Sequence, residues 1–262
     1  MLAAFSHGEA RMVGMLEGRT AIVTGGAGGI GSRIARRYCE EGASVVIASR
    51  GKEKLEAAAA ELTAEGYRCI AIPTDVTRPD AVTAMVSGTV EAFGGLDILV
   101  NNAGGAMFIA PPEKLAPDQW NAAIALNLTS VFLCSQAASN VMIEQGRGRI
   151  INVSSVAGMR MSPAFVHYGA AKAGVINLTK GLASSWGPHN INVNCIAPGL
   201  TATEGVADWL PPRTKDDGSP VPPLQFPPDP EHVADLAAFL AGDASARISG
   251  ELFPIRALYE LA

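Results

Sequence analysis

The sequence predicts a doubly wound α/β fold: one domain built on a parallel sheet with helices on both of its sides. Three observations predict it. Short runs rich in β-branched residues alternate with longer amphipathic stretches along almost the whole chain. Runs such as Val45-Val46-Ile47-Ala48 and Ile98-Leu99-Val100 are continuously apolar rather than alternating, the mark of strands buried on both faces. The order strand, helix, strand also recurs, which calls for parallel neighbours joined by right-handed crossovers.

The first strand is expected at 20–24, running into a glycine-rich turn and a helix at 30–41 rich in Ile, Ala and Arg. Strands at 44–49 and 69–73 frame a helix at 52–65, and a helix at 79–93 leads to a strand at 97–101. A long helix at 117–145, a strand at 149–154, a helix at 167–187 and a strand at 191–197 follow. A helix at 231–242 and a seventh strand at 251–255 close the domain. Residues 205–230 break the pattern, with eight of the seventeen prolines falling between 211 and 230. Such density excludes helix and inner strand. The segment is either a surface linker or a substrate loop acting as a lid, since it leaves the C-terminal end of a strand, where open α/β sheets bind ligands. Residues 1–17 are expected to form a flexible leader, with Met15 as an alternative start, and the domain to span 18–262.

The chain has 262 residues, of which 48% are hydrophobic and 17% charged, enough to bury a core without a metal or disulfide. A net charge of -5, from 20 Lys and Arg against 25 Asp and Glu, argues against a nucleic-acid partner. The four cysteines form no CxxC and the four histidines no HExxH, so no metal site is expected. With no stretch near eighteen uninterrupted apolar residues, no membrane partner is expected either, and the location reads as cytoplasmic.

Two sets of residues carry chemistry. Thr24-Gly25-Gly26-Ala27-Gly28-Gly29-Ile30-Gly31 stands between a strand and a helix. Glycines there let the backbone approach a pyrophosphate, and the helix N-terminus presents free N–H groups to it. Two registers compete, GxGxxG at Gly26, Gly28 and Gly31, and TGxxxGxG at Gly25, Gly29 and Gly31. An NAD site puts an acid at the end of the second strand, about twenty residues on. Here that strand ends Ala48-Ser49-Arg50, and a neutral Ser beside a guanidinium suits a 2′-phosphate instead. NADP(H) is therefore favoured over NAD(H), with Arg33 as a further cation.

In Tyr168-Gly169-Ala170-Ala171-Lys172 the phenol and ammonium share a helix face. A free Tyr, with a pKa near ~10, is a poor base at neutral pH, and a nearby ammonium is expected to lower it. Thirteen residues earlier stands Ser155, placed to hydrogen-bond a substrate carbonyl together with Tyr168; Ser154 is the competing choice. Asn127, within the long predicted helix, either satisfies a bent backbone or holds a water.

Together with Asp75-Val76, Asn101-Asn102-Ala103-Gly104 and Pro198-Gly199, these motifs occur in the order and spacing of the short-chain dehydrogenase/reductase family, which the chain resembles over about residues 17–255. The resemblance implies a seven-stranded Rossmann sheet and a homo-oligomer, dimer or tetramer. It settles the glycine register as Gly25, Gly29 and Gly31, with Ile30 between. It implies that Asp75 and Val76 meet the adenine and that Asn101, Ala103 and Gly104 line the cofactor floor. Ile196, Pro198, Gly199 and Thr203 would approach the nicotinamide and its phosphate. Asn127, Ser155, Tyr168 and Lys172 would form the catalytic tetrad, with Lys172 also on the ribose and Asn127 anchoring a relay water. One departure concerns the end of the chain. Phe253-Pro254-Ile255-Arg256-Ala257-Leu258 replaces the family's acid- and glycine-bearing turn, so the usual turn cannot form there in the same way.

The resemblance implies hydride transfer between a nicotinamide and a carbonyl or secondary alcohol. Gly105, Met107, Phe108, Met159, Met161, Phe165 and Trp209 would make an apolar mouth, with Arg160, Arg213 and Lys215 as charges near it. A hydrophobic ketone or 3-oxoacyl thioester is the expected small-molecule substrate. Enoyl-thioester reduction and a non-catalytic NADP(H) sensor are the alternatives.

Overall fold

The computed structural model describes residues 14–258; residues 1–13 of the expected leader lie outside the described residues. The elements follow in the predicted order: β1 (Thr20–Thr24), α1 (Gly29–Glu40), β2 (Ser44–Ser49), α2 (Lys52–Ala64), β3 (Cys69–Pro73), α3 (Pro79–Phe93) and β4 (Ile98–Asn101). Then come α4 (Pro117–Ile124), α5 (Ser130–Gln145), β5 (Gly148–Val153), α6 (Val166–Trp186), β6 (Ile191–Pro198), α7 (Pro230–Ala241) and β7 (Leu252–Ile255). The seven strands form one sheet in the order β3-β2-β1-β4-β5-β6-β7, parallel throughout.

Side-chain alternation along the strands divides the core in two. Ala21 and Val23, Val45 and Ile47, and Ile98 and Val100 face α1, α2 and α7. Ile22, Val46, Ala48 and Leu99 face α3, α5 and α6. Both sets are fully buried, which is why the strands read as unbroken apolar runs. Strands β1, β2 and β3 step outward one way and β4 onward the other, so the order reverses between β1 and β4. The crevice beyond their C-terminal ends is the topological switch point.

Four expectations are refined. Of the expected leader, the described residues 14–17 belong to the domain: Leu16 is fully buried in the α1–α2–α7 core and its N–H donates to the Glu41 carbonyl at 3.0 Å. The long helix is interrupted by a π turn at Ala125–Thr129. Segment Pro117–Gln145 is long and apolar enough to cross a membrane by length and composition, yet it buries Val131, Cys134, Ala138 and Met142 within the protein. The replaced terminal turn still permits β7, which pairs with β6 from Cys195↔Leu252 to Pro198↔Ile255 and carries Pro254 at the sheet edge, where a missing N–H is tolerated. The proline-dense stretch forms only short turns, at Glu204–Trp209 and Pro223–Gln225, and one bridge between Thr214 and Pro220.

Candidate active site

The turn after β1 is shaped by close backbone packing. A Cβ on Gly31 would lie 2.2 Å from the Gly25 carbonyl oxygen and 2.5 Å from Asn102 Nδ2. Gly25 and Gly29 have φ of +68° and +54°, a region L side chains avoid. These are the positions of the TGxxxGxG register. The turn is braced from β4: Thr24 Oγ1 donates to the Val100 carbonyl at 3.1 Å and accepts from the N–H groups of Asn102 and Ala103 at 3.0 and 3.1 Å. Asn102 Nδ2 donates back to the Thr24 carbonyl at 3.0 Å. Sequence reasoning gives neither Thr24 nor Asn102 this bracing role, although both stand in the quoted motifs.

The turn floors a cleft of about 350 Å³ at the switch point. Gly25, Gly29 and Ile30 of the turn, Ala103 and Gly104 after β4, Ser155, Tyr168 and Lys172, and Pro198, Gly199 and Thr203 after β6 all line it, with Gly104 close to the Lys172 ammonium. Leu200, Thr201 and Val206 line it too, a contribution the sequence does not single out because the loop after β6 has no regular pattern. A dinucleotide fits this set: glycine backbone and a helix N-terminus for the pyrophosphate, with hydroxyls and an ammonium in the same cleft.

Other predicted residues lie elsewhere. Asn101 is buried beneath the floor, where Nδ2 donates to Ser135 Oγ and Asn152 Oδ1, both at 2.9 Å; its neighbour Asn102 reaches the cleft instead, because successive strand residues face opposite ways. Ile196 is likewise fully buried in the core. Val76 packs in the α3 side of the core. Ser49 is half-buried and Arg50 exposed at the end of β2. Asp75 accepts from the Thr77 hydroxyl and N–H at 2.7 and 3.0 Å. These bonds hold its carboxyl below the usual range, and the charges of Arg50 and then Arg78 add to the effect. Arg33 turns away to Glu231 at 3.0 Å.

At the chemical end, Ser154 Oγ donates to the Lys172 carbonyl at 2.7 Å and staples β5 to α6. Ser155 is therefore the hydroxyl left facing the cleft; its Oγ accepts from the Ala157 N–H at 3.2 Å. Lys172 is buried, its Nζ donating to the Val153 carbonyl at 2.9 Å and lying 5.6 Å from the centre of the Tyr168 ring. Burial pulls the ammonium down to about 8. Burial also pushes the Tyr168 phenol up, and the Ser155 hydroxyl pulls it partly back. The expected lowering by Lys172 is therefore not what sets the phenol, because desolvation disfavours both charged forms at once.

Asn127 is fully buried in the π turn. Its Oδ1 accepts from the Gly105 N–H at 2.9 Å, and its Nδ2 donates to the carbonyls of Gly105 and Ala123, each at 3.1 Å. Of the two readings of this side chain, the bent backbone is the one its bonds fit. A Cβ on Gly104 would lie 2.7 Å from Asn127 Oδ1 and 3.2 Å from Lys172 Nζ, so Asn127 holds the floor close to the ammonium. Of the residues expected at the mouth, Met107, Met159, Met161 and Trp209 are exposed, while Phe108 packs 6.0 Å from the buried His167 ring, whose pKa burial lowers. Arg160 and Lys215 are exposed. Arg213 is engaged within its own loop, 4.4 Å from the centre of the Phe226 ring and 3.6 Å from Asp229.

A family profile described as short chain dehydrogenase matches residues 19–213. The chain is 38% identical over 244 residues to a hydroxy(phenyl)methyl-succinyl-CoA dehydrogenase subunit of Thauera aromatica, covering 90% of this chain and 94% of that protein. It is 38% identical over 245 residues to a 3-oxoacyl-(acyl-carrier-protein) reductase of Chlamydia trachomatis, covering 93% and 98%. Among solved structures, an NAD+-bound xylitol dehydrogenase matches with a TM-score of 0.84 and 31% identity, covering 93% of this chain and 99% of that one. The chain belongs to the short-chain dehydrogenase family, and it is an oxidoreductase that uses a nicotinamide dinucleotide to interconvert a carbonyl and an alcohol.

Proposed function

We propose that the chain is an NADP(H)-dependent reductase of an apolar carbonyl compound, a hydrophobic ketone or a 3-oxoacyl thioester, with Ser155, Tyr168 and Lys172 as its chemical groups. The observation that carries this is their convergence in one glycine-floored cleft. When bound, the nicotinamide supplies or accepts the hydride. Ser155 holds the carbonyl oxygen, and Tyr168 donates a proton to it as negative charge develops. Lys172 keeps a positive charge one helical turn from the phenol, which stabilises the phenolate left behind. Asn127 is a positioning residue, fixing Gly105 and with it the floor beside Lys172. The 205–230 segment covers the mouth as a substrate loop. The apolar rim and two relatives named for acyl thioester substrates support this substrate class.

NADP(H) is preferred because Arg50, and no acid, follows β2. Fluorescence titration is expected to show NADPH binding at least about tenfold tighter than NADH, the worth of one charge-assisted contact; equal affinities overturn the preference. A cytoplasmic location belongs to the same proposal, supported by four free buried cysteines. So does a homo-oligomer, dimer or tetramer, supported by Trp120 and Phe132, which are exposed on the long α4–α5 segment.

The reaction has a defined pH response. Reduction needs a protonated Tyr168 and a charged Lys172. Burial lifts the phenol, so it stays protonated into the alkaline range, whereas Lys172 titrates near 8. Reductive turnover is therefore level around neutrality and falls as pH rises through about 8, while alcohol oxidation, which needs the phenolate, rises only at higher pH, where the lifted phenol gives up its proton. A reductive rate that climbs with alkalinity contradicts this assignment of acid and cation.

A further inference from the structure

The first turn of α2 carries two lysines with different fates. Lys52 reaches Glu56 at 3.8 Å. Lys54 instead folds back over the glycine turn, so that a Cβ on Gly28 would lie 3.1 Å from its Nζ and 3.6 Å from its Cε. Gly28 is extended, with φ 176° and ψ 174°, a conformation open to any residue. What its glycine leaves is space, and the Lys54 ammonium stands at the edge of that space. It lines a cavity of about 370 Å³ on the outer side of the turn, shared with Gly26, Gly28, Gly29 and Ser32.

The neighbouring cations in this cavity are already paired, Arg33 with Glu231 at 3.0 Å and Arg36 with Glu61 and Glu65 at 2.7 and 2.5 Å. Among the described residues, Lys54 makes no such ion pair; of the two carboxylates in the cavity lining, Glu61 is held by Arg36 and Glu204 is not within ion-pair distance of Lys54. On the other flank of the β2 terminus, the exposed Arg50 sends its field to Asp75. Two cations without a fixed carboxylate partner among the described residues therefore bracket the end of β2, where a doubly wound fold places the adenosine ribose.

We infer that Lys54 is a specificity-determining residue for the cofactor, its ammonium beside Gly28 and the Arg50 guanidinium together recognising the 2′-phosphate of the adenosine ribose. The inference rests on the NADP(H) preference proposed above and adds a residue that the end of β2 does not reveal. The two cations have different tasks: Arg50 offers a planar fork, whereas Lys54 is a mobile point charge that follows the phosphate.

The test is a binding titration that needs no turnover. Wild type, Lys54→Gln and Arg50→Gln are titrated with NADPH, NADH, adenosine 2′,5′-bisphosphate and adenosine 5′-monophosphate. Loss of one charge-assisted contact predicts that Lys54→Gln weakens NADPH and the bisphosphate by about tenfold, leaves NADH and the monophosphate within about twofold, and reduces the salt dependence of NADPH binding. If wild type itself binds NADPH and NADH equally, the cofactor preference fails and this inference with it. If wild type prefers NADPH and Lys54→Gln keeps that preference, only the role of Lys54 is overturned. Equal weakening of NADPH and NADH would place Lys54 on the pyrophosphate or the turn, and would likewise overturn it.

Discussion

Tyr168→Phe is expected to lower carbonyl reduction by about three orders of magnitude, within the range that a positioned acid contributes, while NADPH affinity stays within about twofold. The substitution removes one oxygen. The ring keeps its place beside Lys172, whose ammonium remains bonded to the Val153 carbonyl at 2.9 Å, so the cofactor end of the cleft is unchanged. What is lost is the proton donor that stands with Ser155 at the chemical end of the cleft. The effect therefore belongs in kcat, with KM and thermal stability nearly unaltered. Steady-state kinetics, a fluorescence titration and a thermal melt on the same preparation separate the three. Near-normal turnover in the variant would remove Tyr168 from the chemistry.

Gly31→Ala is expected to abolish dinucleotide binding, by more than about a hundredfold, and to destabilise the fold by about 1–3 kcal/mol. The new methyl would stand 2.2 Å from the Gly25 carbonyl oxygen, and that carbonyl has nowhere to go. The Gly25 N–H is bonded to the Ala48 carbonyl at 2.7 Å, and the other obstructing group, Asn102 Nδ2, is tied to the Thr24 carbonyl at 3.0 Å. Helix α1 must therefore lift off the turn, which pulls its N-terminal N–H groups away from the phosphate position. At a chain of this size the melting temperature falls by roughly 5 °C. Gly51→Ala is the control: nothing lies within 4 Å of its Cβ position, and it should change neither property. Normal NADPH binding by the Gly31→Ala variant would show that the turn has slack the packing denies.

The strands are legible because burial on both faces writes unbroken apolar runs, and the catalytic helix because Tyr168 and Lys172 share one of its faces. That same burial hides other features. In a run such as Ile98-Leu99-Val100 no alternation survives to say which way the following Asn101 points, so nothing in it separates Asn101, which the resemblance puts on the floor with Ala103 and Gly104, from Asn102, which lines the cleft with those two. Both glycine registers contain Gly31, and nothing in the composition of the turn separates them; the family resemblance chooses one, and the positive φ of Gly25 and Gly29 supports that choice. The π turn around Asn127 slips backbone bonds without changing residue types, so only an out-of-place Asn hints at it. The spacing of Tyr168 and Lys172 gives the proximity of charge but not its desolvation, and desolvation decides the direction in which both groups titrate. Leu16 shows the converse: an apolar residue beside an irregular start reads as leader, although the core has a place for it.

The most direct test follows the hydride. Wild-type protein is given NADPH deuterated at its hydride-bearing carbon together with a panel of hydrophobic ketones and 3-oxoacyl thioesters, and the products are analysed by mass spectrometry. A reductase of this kind consumes NADPH only when a carbonyl is present and forms one alcohol for each NADPH lost. Its label appears on the new carbinol carbon, and Tyr168→Phe suppresses all of it. Tight NADPH binding with no consumption across the panel, or alcohol formed without label, would contradict a carbonyl reductase built on Ser155, Tyr168 and Lys172.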